Sequence, residues 1–380
     1  MKHFFTSSIL NEAIEPPMSP TPFDLSRRTL EAHSADMRQF IDLRPVTLED
    51  GQRAIDAHNS SGLSFTLLPD RGLDFFAASF AGRPLTWLSA GSPHRADRGA
   101  TFPESMNGGL LFTCGLRHVG PPEADGQGGS HPLHGDFTRL PARQIAVTGG
   151  WEGERYVLTL RGELNEAALF RHQLRLTRTL RLTLGEPGFE LDDVVENRDA
   201  TPSPLMVVYH FNFGYPIVQE GVRFYSPAQT IYPRDAVAQS AAQDWASYQA
   251  PIPNHPEEVF FHHAGVGADG WSGAVLAGDE FGVSLQWDAS TLPYLTQWKN
   301  FRTTTYVCGI EPGNCLPEGQ RAAQEAGRLQ MLAPGESVRF RSRFRVLPNA
   351  RAVARATTAV AAMREGRPTE MNTTGLAPAV

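Results

Sequence analysis

Cysteine is scarce in this 380-residue chain. Cys114, Cys308 and Cys315 make an odd three with no C-x-x-C spacing. That excludes a disulfide framework, argues against a structural zinc knuckle and fits a reducing compartment. No apolar run reaches membrane-spanning length. The opening, MKHFFTSSILNEAIEPPMSP, has neither a sustained apolar stretch nor a small-residue cleavage site, so we expect a cytoplasmic protein. The net charge of −7 is spread without a block of like charges, and the electrostatic footprint of a nucleic-acid or anionic-membrane binder is therefore missing. A small molecule, uncharged or weakly charged, is the expected partner. There is no internal repeat, no glycine-rich phosphate loop behind a strand and little that could serve as crossover helices. This argues against a dinucleotide-binding fold or a β/α barrel.

What the chain has in quantity is turn residues, 35 glycines and 29 prolines, set between short runs of alternating apolar and polar character. Ser61 to Leu68 and Leu73 to Phe80 flank Pro69-Asp70-Arg71-Gly72, the grammar of a hairpin. From Gln173 on, Leu174, Leu176, Leu180, Leu182 and Leu184 share one face, and Arg175, Thr177, Thr179, Arg181 and Thr183 the other; Gly185-Glu186-Pro187-Gly188 then turns the chain into Phe189 to Glu196. The arginines of this hairpin read as its wet face. Ala274 to Leu276 and Phe281 to Trp287 pair around Gly278-Asp279, and Ser337 to Val346 sets Val338, Phe340, Phe344 and Val346 against alternating arginines. Many short strands and scarcely any helix predict an all-β chain folded as a large antiparallel β-sandwich with few short helices. Residues 1–36, with Pro16, Pro17, Pro20 and Pro22 and a short helix through Phe23 to Ala35, read as an N-terminal extension or a dimer arm, which leaves a homodimer open. Residues 37–348 form the sandwich domain, and 349–380 a short helix and a loose tail.

Two strands end in polar groups. Thr304 to Ile310 is β-branched, aromatic or small, and the run stops at Glu311-Pro312-Gly313-Asn314, so Glu311 is read as the strand's last residue. It shares a face with Thr305, Val307 and the small Gly309, which leaves room for a ligand; a hydrated rim glutamate is the plain alternative. In PLMVVYHFNFGYP, Pro204 to Pro216, His210 and Asn212 share the face of Met206 and Val208. A lone strand histidine is usually a satisfied core residue, but a neutral histidine with a carboxylate is the minimum kit for moving a proton near neutral pH. The irregular stretch 91–143 holds GGLLFTCGLRHVG, with Arg117 and His118, and HPLHGDF, with His131 and His134 three apart. A loop H-x-x-H without a helical H-E-x-x-H is weak evidence for a metal, and none is expected. Arg71 sits in its turn where it could reach a ligand or lie solvated, and Asp235, Asp244 and Trp245 occupy a stretch without clear pattern.

LHG at His134, VVYHFNF at His210 and Asn212, and YVCGIEPGN at Glu311, in that order, resemble the aldose 1-epimerase (galactose mutarotase) superfamily. PDRGLDF, GGLLFTCGLRHVG and QWK followed by GIEPGN resemble a poorly characterised branch of aldose 1-epimerase-like proteins, over roughly residues 40 to 348. The resemblance implies the supersandwich of antiparallel strands. It also implies a sugar-binding histidine at His134, a general acid at His210, a base at Glu311 and, as a weaker match, a substrate arginine at Arg71. Asn212, Arg117, His118, Gln297, Lys299 and Asn314 lie within the motif blocks and are further candidates to face the sugar. Asp136 and Phe137 follow Gly135 where the superfamily usually continues with a glycine, and no clear counterpart of its substrate aspartate is present, although Asp235 or Asp244 could supply one.

The implied reaction is cofactor-free interconversion of sugar anomers. Glu311 as carboxylate takes the anomeric hydroxyl proton, and His210, kept protonated by a nearby carboxylate, supplies one to the ring oxygen; the roles then exchange for closure. Two alternatives stand beside it. One is a catalytically silent sugar-binding or regulatory protein on the same fold. The other is a metal-dependent sugar isomerase with His118, His131, His134 and Glu311 as ligands.

Overall fold

The computed structural model describes residues 23–373 apart from 93, 94, 98 and 127. The proline-rich start of the predicted extension and the last seven residues of the tail lie outside the described residues. Three sheets carry the fold, antiparallel throughout except where Glu370–Met371 joins Ala228–Pro233 in parallel. A five-stranded sheet follows chain order from Asp42–Thr47 to Arg83–Pro84 and contains the hairpin of Leu63–Leu68 with Asp74–Phe80. An eight-stranded sheet contains the other predicted hairpins, Gln173–Thr183 with Gly188–Asn197 and Trp271–Ala277 with Gly282–Asp288, and places Ser337–Leu347 between them. The second eight-stranded sheet runs Gln330–Leu332, Ser203–Phe213, Thr305–Gly313, Tyr294–Arg302, Glu258–Ala264, Ala228–Pro233 and Glu370–Met371, with Leu111–Leu116 paired to the opposite side of Ser203–Phe213. Helices are short, the longest being Ala350–Ala362 at 13 residues, and none among the described residues is long and apolar enough to cross a membrane.

Alternation decides which way each strand faces. Leu205, Val207, Tyr209, Phe211 and Phe213 enter the main core, where they meet Leu174, Leu176, Leu180 and Leu182 from the large sheet and Phe65 and Phe75 from the small one. Burying such side chains stabilises the fold by about 1.5–3 kcal/mol each. The Ser337–Leu347 arginines face outward onto acidic partners, Arg339 on Asp192, Arg341 on Asp288 and Arg345 on Glu186.

One arginine departs from the wet-face expectation. Arg178 lies on the leucine face of its strand and is 1 % exposed. Its guanidinium bonds Asp74 at 2.6 Å and Asp193 at 2.8 Å, Thr113 Oγ1 accepts from it at 3.0 Å, and Tyr209 donates to Asp193 at 2.8 Å. A charge can be buried there because two carboxylates neutralise it and every donor is met. The cluster ties all three sheets together.

Candidate active site

The site is built by strand register. Val208 pairs with Gly313 and Phe211 with Ile310, which sets His210 opposite Glu311 on the neighbouring strand. On the other side Thr296 pairs with Glu311 and Trp298 with Gly309. Thr296, Glu311 and His210 thus form one row across three adjacent strands, all on the same face. The strand does not stop at Glu311 as expected. It continues through Pro312 to Gly313, which pair with Leu295 and Tyr294. Proline cannot donate to the ladder, and the recorded pairing with the His210 strand lapses between Gly313 and Ile310, beside the two side chains of interest.

His210 Nε2 lies 3.1 Å from Glu311 Oε1. Both are buried, at 7 % and 4 % exposure. Gly309 makes this possible, because a Cβ there would stand 2.6 Å from Glu311 Oε1, 3.0 Å from His210 Cε1 and 3.1 Å from Trp298 Cβ. The Trp298 ring meets His210 edge-on at 5.4 Å and is anchored by its Nε1–H donating to Glu257 at 2.8 Å. His134 reaches the same pocket from its loop, with φ +60°, its N–H donating to Gly120 O at 2.9 Å and its carbonyl accepting from Gly115 at 3.1 Å. Gly135 follows at φ +77°, where a Cβ would fall 2.5 Å from His118 O and 2.6 Å from Gly115 O. Phe137, which stands where the resemblance suggests a looser loop, is fully buried and carries the Arg178 guanidinium over its ring.

Electrostatics correct the expected protonation states. Burial pushes the His210 imidazole down to about 3, with His134 adding to the effect, and pushes the Glu311 carboxyl well above its usual range, with Glu257 adding to it. A neighbouring carboxylate favours the protonated imidazole, as the sequence suggests for His210, but loss of hydration outweighs that attraction at this depth. Burial thus disfavours the charged form of both partners and shifts the proton of the pair towards Glu311. His134 is likewise pushed down to about 4, chiefly by burial. Two buried polar atoms of pocket-lining residues, His134 Nδ1 and Thr296 Oγ1, have no hydrogen-bond partner among the described residues, whereas His210 lies beside the Asn212 side chain. Buried groups of this kind normally find a partner.

Of the residues singled out from sequence, His134, His210 and Glu311 come together around a pocket of about 240 Å3. The others do not line it. Arg71 is 1 % exposed, neither solvated nor at the pocket, and donates to Ser105 O at 2.7 Å and to Thr138 Oγ1 at 3.3 Å. Asn212 shares His210's face but donates to Gly109 O and His210 O, both at 3.1 Å. Gln297 and Lys299 point to the opposite face of their strand: Gln297 meets His262 at 3.2 Å, and Lys299 pairs with Glu258 at 3.1 Å and donates to Asp244 O at 2.8 Å. Asn314 bridges backbone, accepting from Val207 N–H at 2.6 Å and donating to Leu205 O at 2.9 Å. Arg117 meets His172 at 2.8 Å. His118 stacks on His131 with centroids 4.8 Å apart and bonds Pro121 O at 2.8 Å. These two histidines are not joined to His134 and Glu311, and among the described residues no group of three His, Cys, Asp or Glu side chains is arranged to hold a metal.

Sequence reasoning missed Thr296, Trp298, Arg234 and Glu257, which all line the pocket. Arg234 follows the strand Ala228–Pro233 and Glu257 precedes Glu258–Ala264; they pair at 2.8 Å. Neither Asp235 nor Asp244 lines the pocket. Asp235 caps a short helix at Ala238 N–H and pairs with Arg234.

The fold is that of the galactose mutarotase-like β-sandwich proteins. The chain belongs to the family described as a domain of unknown function, DUF4432, whose model spans residues 49–346. A Klebsiella pneumoniae protein named a "putative aldose 1-epimerase" is similar at 29% identity, with 86% of this chain and 88% of that chain covered and a TM-score of 0.81. A galactose mutarotase-like protein from Clostridium acetobutylicum (13% identity, 81% and 99% covered, TM-score 0.55) and galactose 1-epimerase from Lactobacillus acidophilus (14%, 80% and 98%, 0.53) share the fold. No curated protein matches the chain at a significant level.

Proposed function

We propose that the protein interconverts the anomers of a sugar by acid/base ring opening and closure, with His210 and Glu311 as the exchanging pair and His134 and Thr296 as sugar-binding groups. The carrying observation is the 3.1 Å contact between His210 and Glu311 at a pocket where His134 Nδ1 and Thr296 Oγ1 lack protein partners among the described residues. Anomerisation removes a proton from the C1 hydroxyl and adds one to the ring oxygen. The C1–O5 bond breaks, an open-chain aldehyde forms, the C1–C2 bond rotates, and the hydroxyl on C5 closes on the other face. A pair holding a single proton suffices: Glu311 delivers its proton to the ring oxygen while neutral His210 accepts the hydroxyl proton, and closure reverses both transfers. No redox or metal step is required by this balance.

The test is exchange at the anomeric proton, followed by NMR, across a panel of unlabelled aldoses. We expect exchange above the spontaneous rate for at least one sugar. Binding without accelerated exchange would instead make the protein a silent sugar binder.

A further inference from the structure

The wall of the pocket carries a charge arrangement that the exchange chemistry does not use. Arg234 Nη2 donates to Glu257 Oε1 at 2.8 Å and its Nε to Asp235 Oδ2 at 2.8 Å, while Nη1 has no partner among the described residues. Glu257 Oε2 accepts from the Trp298 indole. Each Glu257 oxygen, having accepted one bond, keeps a second acceptor position. Arg234 is thus held between two carboxylates, Glu257 at the pocket and Asp235 outside its lining. Burial pushes both pocket histidines towards their neutral forms, and the wall pair is felt at the Glu311 carboxyl: Glu257 raises its pKa and Arg234 opposes the rise. Among the described residues, Arg234 is the one cationic side chain at this pocket, and two carboxylates already occupy it.

We propose that Arg234 and Glu257 form a neutralised donor–acceptor subsite that holds two neighbouring hydroxyl groups of an uncharged sugar and rejects its phosphorylated or carboxylated counterpart. The subsite deepens the anomer-exchange reading and rests on it for the sugar, though binding can be scored without turnover. A hydroxyl both donates and accepts, so it satisfies guanidinium and carboxylate at once. A phosphate or carboxylate only accepts; it can reach Nη1 solely by approaching two like charges. Glu257 also holds Trp298 against His210, so the same residue reads the sugar and steadies the imidazole.

The experiment titrates the intact protein with D-glucose, D-galactose and D-xylose against glucose 6-phosphate and glucuronate, following tryptophan fluorescence and anomer exchange. Wild type should bind one of the neutral sugars at least ~10-fold more tightly than either acidic one. Glu257→Gln keeps an acceptor for Trp298 but releases Arg234, so neutral-sugar binding should weaken while the preference over glucose 6-phosphate falls by ~10-fold or more. Trp298→Phe removes the anchor without altering charge and should leave that preference intact. Circular dichroism checks that each variant is folded, and Arg234→Gln, which should weaken neutral-sugar binding and sharpen rejection of acidic sugars, serves if Glu257→Gln is not. Tighter binding of an acidic sugar by wild type, or an unchanged preference in Glu257→Gln, overturns the subsite. Neutral-sugar binding with the expected shift but no exchange would overturn the epimerase reading alone, and no binding of any of the five probes would overturn both.

Discussion

Replacing Gly309 with alanine tests the site's geometry more sharply than removing a functional group. The added methyl would sit 2.6 Å from Glu311 Oε1, where ordinary contact begins near 3.4 Å, so the carboxylate must move by ~0.8 Å. Strand packing limits the alternatives, because His210 Cε1 and Trp298 Cβ stand at 3.0 and 3.1 Å on the other sides. A shift of that size is enough to take the 3.1 Å bond between His210 and Glu311 beyond hydrogen-bonding distance. The backbone pays nothing extra, since Gly309 is not in the left-handed region. The cost to stability should stay within the ~1–3 kcal/mol typical of overpacking. Misplacement by about 1 Å can lower turnover by ~10²-fold. We therefore expect Gly309→Ala to melt cooperatively a few degrees below wild type while its anomeric exchange rate, measured by NMR at saturating sugar, falls by ~10²-fold. A folded variant exchanging at the wild-type rate would refute the argument that this glycine exists to seat the pair.

Four further outcomes follow from the same structure. Glu311→Gln should retain sugar binding and lose ~10²-fold or more in exchange rate, and an unchanged rate would remove Glu311 from the chemistry. His210→Asn should cut the rate and abolish the acid limb of its pH profile, whereas His134→Asn should chiefly raise KM; with His210 pushed down to about 3 and Glu311 pushed up, the acid limb belongs to the imidazole and the alkaline limb to the carboxyl. His262, buried against Gln297 and Ser226, has its pKa lowered from 6.5 to about 3, chiefly by burial, so its stabilising effect is complete above pH 6.5 and is lost as pH falls towards 3. At pH 5 the loss is about 2 kcal/mol, and urea titrations across pH should show a shallower acid slope in His262→Gln. Arg178→Met leaves Asp74 and Asp193 buried without their cation and should cost about 3–5 kcal/mol in denaturant unfolding, with near-normal stability arguing that the cluster is dispensable.

The faces of strands were legible because alternation is a local property. It placed Gly309 on the face of Glu311 and His210 on the face of Asn212, and the structure has both. The same period already contained the fate of Gln297 and Lys299, which share a face with Leu295 and Phe301 and so enter the interior with them. Motif membership pointed the other way, and the alternation was the better guide. Arg178 carried an equally local signal, an arginine on a leucine face. Arg234 and Glu257 had none. They flank different strands, and only the pairing of those strands, with Arg234 N–H donating to Val259 O at 3.0 Å, brings them to one wall. Register across strands is what sequence period leaves open, and it is register that sets His210 opposite Glu311.

The depth of that pair has a consequence for the proposed chemistry. In water an imidazole holds a proton against a carboxylate by about 2 units, or ~2.7 kcal/mol. Anomerisation neither consumes nor yields a proton, so a large preference for one partner would have to be overcome once on opening or once on closure. Burial lowers His210 and raises Glu311, which erodes the aqueous preference and then reverses it. In the proposed reaction a polar sugar entering the pocket would satisfy His134 Nδ1 and Thr296 Oγ1 and return part of the lost solvation, moving the balance back towards the charged form. The two arrangements, neutral pair and ion pair, are thereby drawn together in energy when substrate is bound. An exchange that must run equally well in both directions needs that condition, and a more exposed His210–Glu311 pair would not meet it.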